Sequence, residues 1–195
     1  IGGIGARVDD RFTSSAGTFA PKAKVIHIDV SPAEIGKRIP VDLPIVGDAK
    51  NVLRDLLPLI KPASHEDWLT WIEEKRADTR SRDVLLRESD KLQPQYVVRN
   101  VWELTEGRAI MVSDVGQNQM WEAQYYLHQR FGGLITSGGL GTMGFALPAA
   151  IGVAVGRPKC PVWMMAGDGG FQMTCQELTT VVQEELPVKI VILNN

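Results

Sequence analysis

Two short segments hold the residue types that bind a divalent cation and a phosphate. Gly167-Asp168-Gly169-Gly170 sets one carboxylate among glycines, and Asn194-Asn195 supplies amide oxygens, with Asn195 27 positions after Asp168. Carboxylate and amide oxygens are hard donors of the kind Mg²⁺ or Ca²⁺ accepts, leaving other coordination positions to water and phosphate. Glycines at a helix start leave backbone N–H groups open to an anion. A diphosphate with its metal fits such a pocket. On residue types alone a plainer alternative stands beside it: Asp168 caps the following helix and Asn194-Asn195 is a turn.

Gly139–Gly144 reads GLGTMG and matches the dinucleotide pattern GxGxxG. That fingerprint expects an acid about 20 residues later to hold a ribose, and no Asp or Glu occurs between it and Asp168, which argues against a nicotinamide site. The glycines instead let backbone pass close to a bulky ligand, with Met143 either projecting as a soft apolar contact or packing in the core. Asp29, at the end of an apolar run, suits a ribose hydroxyl or a cap. His27, His65 and His128 share no metal spacing, and no P-loop, HExxH or GxSxG occurs.

The elements that must position these groups alternate. Lys24–Val30 reads as a strand, followed by Ser31-Pro32-Ala33-Glu34, a capping box that predicts a short helix or turn. Ile45-Val46 leads into Gly47-Asp48 and a helix that Asp48 caps and Pro58 ends. Ser64 is expected to cap a helix with the face Trp68, Leu69 and Ile72. Twelve charged residues then lie between Glu73 and Lys91, as in a solvated helix end or linker. From Pro94 the pattern predicts helix 95–106, strand 109–113, helix 119–129, strand 134–136, helix 142–155, strand 162–166, helix 171–185 and strand 188–193. Apolar strands separated by helices indicate α/β folding, with parallel sheets flanked by helices. The loops after the four strands of the second half should converge on one rim, where ligands bind in such folds.

Composition narrows the class. Hydrophobic residues make up 44% and charged ones 23%, as in a globular chain, and 21 Lys+Arg against 23 Asp+Glu gives no general attraction for nucleic acid. Cys160 and Cys175 form no CxxC and cannot staple a chain of 195 residues, which favours a reducing compartment. Residues 131–156 are uncharged, but eight of the 26 are glycine, so they read as a loop entering a buried helix and not as a membrane span. The chain opens inside a loop without Met and stops after an apolar run, so an excerpt of a longer protein is expected.

The segments DVGQNQMW (114–121), TSGGLGTMGFALPAAIG (136–152), GDGGFQMTCQEL (167–178) and LPVKIVILNN (186–195) resemble the acetolactate synthase family of thiamine-diphosphate enzymes. GARVDDR (5–11), HIDVSPAEIGK (27–37) and VGDAK (46–50) are similar to that family's central, FAD-associated domain. The resemblance implies that residues 1–75 are the C-terminal part of the central domain and 76–93 a charged linker. Residues 94–195 would then be the N-terminal part of the thiamine-diphosphate domain.

It implies that Asp168 and Asn195 bind Mg²⁺. Val115, Gly116, Gln117, Asn118, Gly141, Gly169 and Gly170 would lie around thiamine diphosphate, and Met143 would wedge it into its bent form. Gly5, Ala6, Arg7, Asp9, Asp29, Val30 and Asp48 would line part of an FAD site, with FAD largely structural. The implied reaction decarboxylates pyruvate and joins the two-carbon unit to a second 2-oxo acid. Implied partners are a second copy, as homodimer or homotetramer, and a small regulatory subunit, with no nucleic acid and no membrane. The cytoplasm, or a plastid in a eukaryote, is the expected location.

Two residues depart from the family's usual pattern. Asn118 stands where many members have His, changing a diphosphate donor in character, and Gly170 stands where Ser is frequent. The glutamate that activates the cofactor in this family lies in a domain outside these 195 residues, so the chain alone is expected to be inactive. Two other readings stay open: another thiamine-diphosphate enzyme, such as a pyruvate oxidase or 2-oxo acid decarboxylase, and a non-catalytic nucleotide-binding module.

Overall fold

The computed structural model describes residues 1–81, 83, 85 and 89–194, without the side chains of residues 11, 80 and 81. The chain forms two units, Ile1–Trp71 and Ile72–Asn195. In the first, β1 (Gly2–Ile4), β2 (Ile26–Asp29) and β3 (Leu43–Val46) form a parallel sheet in the order β1-β2-β3. His27 and Ile28 bury their side chains, while Ile26 and Val30 stay exposed. α1 (Asp10–Thr13) follows β1, and α2 (Ala49–Leu56) follows β3.

Asp48 caps α2 as its position predicts, accepting from Asn51 N at 3.1 Å, and the helix tightens into a 3-10 turn at Leu57–Leu59, which contains Pro58. The capping box at Ser31 makes only turns. The Ser31 N–H donates to Asp29 Oδ1 at 2.8 Å, so Asp29 organises the bend that the serine was expected to cap.

α3 (Glu66–Ser81) starts with His65, not Ser64, at the position before its first turn, and His65 O accepts from Leu69 N. Of its expected face, Trp68 and Leu69 are exposed and Ile72 is half-buried, and Trp68 stacks on Trp71 with ring centroids 4.9 Å apart. Positions 82, 84 and 86–88 of the expected linker lie outside the described residues.

In the second unit α4 (Pro94–Thr105), β4 (Ile110–Ser113), α5 (Gln117–Tyr125), β5 (Leu134–Thr136), α6 (Ala146–Gly156), β6 (Val162–Gly167), α7 (Asp168–Thr174), α8 (Leu178–Gln183) and β7 (Val188–Leu193) alternate. The strands form a parallel sheet ordered β5-β4-β6-β7. Because successive strand residues point to opposite faces, Val112, Val162, Met164 and Ala166 pack with Ala146, Leu147, Ala150 and Ala154 of α6, while Met111 and Met165 pack with Val98, Val101 and Tyr126. Both faces are therefore covered, and all four residues of β4 are buried.

Helix boundaries differ from the periodicity where side chains intervene. α5 stops at Tyr125 and not at residue 129, because Tyr126 turns into the core and Leu127 O leaves the helix to accept from Trp102 Nε1 at 3.0 Å. The helix expected over 142–155 begins only at Ala146, since the amides of Gly144 and Ala146 are taken by the Asp114 carboxylate. The helix expected over 171–185 starts at Asp168 and is split into α7, a 3-10 turn at Cys175–Glu177 and α8. Thr174, at the break, donates its hydroxyl to Gly144 O at 3.0 Å.

Candidate functional site

The chain order along the second sheet reverses at β4: one connection leads outward to β5, the next crosses to β6 on the other side. Loops leaving β4 and β6 therefore part in opposite directions and open a crevice at the strands' carboxyl ends, the usual ligand position in open α/β sheets. Residues after these two strands are Asp114-Val115-Gly116 and Asp168-Gly169-Gly170, and the Gly139–Gly144 loop closes over them.

Four close approaches assemble this rim. A Cβ built on Gly169 would lie 3.6 Å from Met143 Cε, so the methionine tip reaches the Gly-Asp-Gly loop. One on Gly141 would lie 4.0 Å from Val115 Cγ1, and one on Gly167 would lie 3.6 Å from Asn118 Oδ1. Gly144 has φ +80°, and a Cβ there would meet Met173 Cβ at 3.0 Å, so glycine is required by both conformation and space. Met143 is substantially exposed, which sets aside its reading as core packing.

Asp168 does not act as a cap. It is the first residue of α7, with Gly167 at the cap position; its carboxylate is exposed and accepts no hydrogen bond from the described residues. β6 and β7 run in register with Gly167 beside Leu193, which puts Asp168 and Asn194 at matching steps beyond neighbouring strands. Asn195, the expected second metal ligand, lies outside the described residues. No cluster of three or more His, Cys, Asp or Glu occurs among the described residues, so a cation here would need amide and phosphate oxygens besides Asp168.

Asn118 turns its Nδ2 inward, donating to Asp114 O at 2.8 Å and Met165 O at 3.3 Å, and the side chain is buried. These bonds tie the start of α5 to β4 and β6. Gly116, with φ +146°, and Gln117 remain exposed at the rim. Gly170 is buried against Asp114, whose Oδ1 would stand 2.8 Å from a Cβ, so a serine there would require the carboxylate to shift.

The first sheet builds a comparable edge within its own unit. Gly5, Ala6, Arg7 and Asp9 follow β1, Asp29 and Val30 end β2, and Asp48 follows β3. Register pairs Ile4 with Ile28 and Asp29 with Val46, so these residues share one end of the sheet. Gly5 has φ +60°, and Ala6 O is held by His27 Nε2 at 3.0 Å. Asp9 accepts from Phe12 N and pairs with Arg7 at 3.4 Å. Arg7, Val8, Asp9, Glu34, Lys37 and Arg38 line a cavity of about 190 Å³.

Two acids escaped the sequence reading. Asp114 is fully buried, and its carboxylate accepts from Val115 N, Gly144 N and Ala146 N at 2.7–3.0 Å. The available signal was an acid closing an otherwise apolar strand. Glu122 is fully buried one turn beyond Asn118 on α5 and meets His128 Nε2 at 2.7 Å. Burial pushes the Glu122 carboxyl up to about 7 and lowers His128, so both favour the neutral forms. Glu122 Oε2 and His128 Nδ1 have no hydrogen-bond partner among the described residues.

Comparison with known proteins matches residues 1–56 to the family described as thiamine pyrophosphate enzyme, central domain, and residues 114–195 to thiamine pyrophosphate enzyme, C-terminal TPP binding domain. Over 98% of its length the chain is 46% identical to acetolactate synthase isozyme 3 large subunit of Escherichia coli (strain K12), covering 34% of that protein. It is 43% identical to acetolactate synthase of Mycobacterium leprae, covering 32% of it, and 44% identical to the probable acetolactate synthase large subunit of Methanocaldococcus jannaschii, covering 34%; both matches take in 98% of the chain. The chain thus spans about a third of the length of these relatives.

Proposed function

The chain belongs to the thiamine pyrophosphate enzyme family, on its acetolactate synthase branch, and from that premise we propose that it supplies the cofactor-binding surfaces of an acetolactate synthase. The protein containing it would decarboxylate pyruvate and join the two-carbon unit to a second 2-oxo acid, pyruvate or 2-oxobutanoate. The observation that carries this reading is the meeting of Met143 with the Gly-Asp-Gly loop at the switch point of the second sheet, beside an Asp168 carboxylate that no described residue engages.

The donor set fits a metal diphosphate. Asp168 would offer one charged oxygen to Mg²⁺, Asn195 is of a residue type that could add an amide oxygen, and Gly116, Gly169 and Gly170 carry no side chains that would keep a phosphate from their backbone. Bound thiamine diphosphate supplies the electron sink for decarboxylation and carbon–carbon bond formation. The chain's own contribution is placement. Met143, Val115 and Gly141 would shape the space above the diphosphate, Gln117 would border it, and Asn118 would hold α5 in place from behind.

The first unit's edge suits FAD in a structural role. Its glycine turn at Gly5 admits a close approach, and the cavity carries Arg7, Lys37 and Arg38, of which Arg7 is paired with Asp9 and Lys37 with Glu34. Asp29, Asp48, Ala6, Asp9 and Val30 would complete the wall. The stretch 76–93 would link the two domains. Self-association and a small regulatory subunit are the expected assembly.

Titration calorimetry on the full-length protein tests this. Thiamine diphosphate should bind only when Mg²⁺ is present, and pyruvate should then be consumed with release of CO₂ and formation of acetolactate. Equal binding with and without Mg²⁺, or acetaldehyde as the sole product, would exclude it.

A further inference from the structure

The Asp114 side chain makes contacts to three loops, two of them far away in sequence. Oδ1 accepts from Val115 N at 2.7 Å and from Gly144 N at 3.0 Å; Oδ2 accepts from Ala146 N at 3.0 Å. Gly144 and Ala146 lie 30 and 32 residues on, and they bracket the entry to α6 immediately after Met143. On its third side the carboxylate abuts Gly170 of the Gly-Asp-Gly loop, with 2.8 Å between Oδ1 and the position a Cβ would take. The residue's own backbone is held as well: its N–H donates to Met165 O at 2.8 Å, and its carbonyl accepts from Asn118 Nδ2.

No basic side chain pairs with Asp114 among the described residues, although it is fully buried. Backbone N–H groups supply its solvation, two of them at the start of an 11-residue helix whose dipole favours an anion. A buried carboxylate in such a place is costly to disturb, because any displacement strands donors and acceptor together. The groups it spans are also the ones that must stay in register for a cofactor to be gripped: Met143 on one loop, Asp168 to Gly170 on another, and Val115 to Asn118 on the third.

We propose that Asp114 is the positioning residue of the cofactor site, setting the Met143 loop against the Gly-Asp-Gly loop through its bonds to Gly144 and Ala146. This rests on the reading of the rim as a thiamine-diphosphate site. Asp114 itself touches neither metal nor cofactor; it acts through the two loops.

The test is Asp114→Asn in the full-length protein, a near-isosteric change that replaces one acceptor by a donor facing a backbone N–H. Amide-resolved hydrogen exchange should show Gly144 and Ala146 as slow as the β4–β6 ladder in the wild type, and at least tenfold faster in the variant, with ladder amides unchanged. The dissociation constant of thiamine diphosphate with Mg²⁺ should rise 10- to 100-fold, while KM for pyruvate at saturating cofactor stays within about twofold. Faster exchange with unchanged cofactor affinity overturns the positioning role. So does wild-type exchange at Gly144 and Ala146 as fast as at exposed Leu140, a measurement that decides the matter even if the variant does not fold. If the wild type binds no thiamine diphosphate, the functional reading fails, while the exchange measurement still decides whether Asp114 holds the loop.

Discussion

The acids on the first sheet's edge act within their own loops, whereas those on the second sheet's rim act across the fold or face outward. Asp9 accepts from Phe12 N, Asp29 from Ser31 N and Asp48 from Asn51 N, each two or three residues away. Asp114 instead reaches Gly144 and Ala146, and Asp168 has no described partner. The contrast follows from burial. Where strands lie between two helical layers, the loop ends are drawn inward and carboxylates find distant amides. At this edge of the first unit, where Ile4, Val46 and Val30 stay exposed, local turns satisfy the three acids, while Asp42, at the other end of the sheet, accepts from Val25 N at 2.7 Å. The two units share a parallel plan but differ in how much of their rim is cross-linked.

The sharpest way to break the contrast is at Asp168. If its open carboxylate serves a cation, Asp168→Ala in the full-length protein should weaken Mg²⁺-dependent thiamine diphosphate binding more than a hundredfold by calorimetry, with the melting temperature of the cofactor-free protein nearly unchanged. Next is the packing beneath. Leu147→Ala, in the core that covers the second sheet, should cost about 3 kcal/mol in denaturant unfolding. The same truncation at the partly exposed Leu53 of α2 should cost under about 1 kcal/mol. Equal costs would erase the distinction between the units.

Glu122 gives a smaller and pH-dependent effect. Between about pH 4.5 and about 7 the unfolded chain releases this proton while the folded one keeps it, so stability falls as pH rises through that window. Glu122→Gln removes the dependence. It should be more stable than the wild type by about 2 kcal/mol at pH 8 and equal to it near pH 4, read from melting curves across pH. His128 works in the opposite sense, because burial holds it neutral: stability drops as pH falls below about 6.5, and the variant should retain that limb. A flat difference from pH 4 to 8 would show that Glu122 titrates normally. Asp48→Ala should cost about 1 kcal/mol through loss of the α2 cap, with no change in cofactor binding to the second unit.

Much of this architecture was legible beforehand. The strands at 134–136 and 188–193 occupy the predicted residues, and the apolar runs identified β2, β3, β4 and β6 to within a few positions, whereas β1 (Gly2–Ile4) lies in a stretch read as a loop. Apolar strand runs are a property of neighbouring residues, and burial on both faces leaves few alternatives for them. The cap at Asp48 was equally legible because donor and acceptor are three residues apart. The Trp68–Leu69–Ile72 stripe misled, since helical spacing shows that a face exists and not what lies against it.

Local pattern was enough to specify the order of the strands from β2 onward and the loops at their ends, because each depends on residues a few positions apart. Which loop groups meet was settled by the fold. Met143 beside Gly169, Asn118 turned inward and Asp114 bonded to amides 30 residues on all depend on β4 and β6 lying next to each other. That adjacency is a long-range packing outcome, formed when two apolar faces close over the sheet, and no short stretch of residues encodes it.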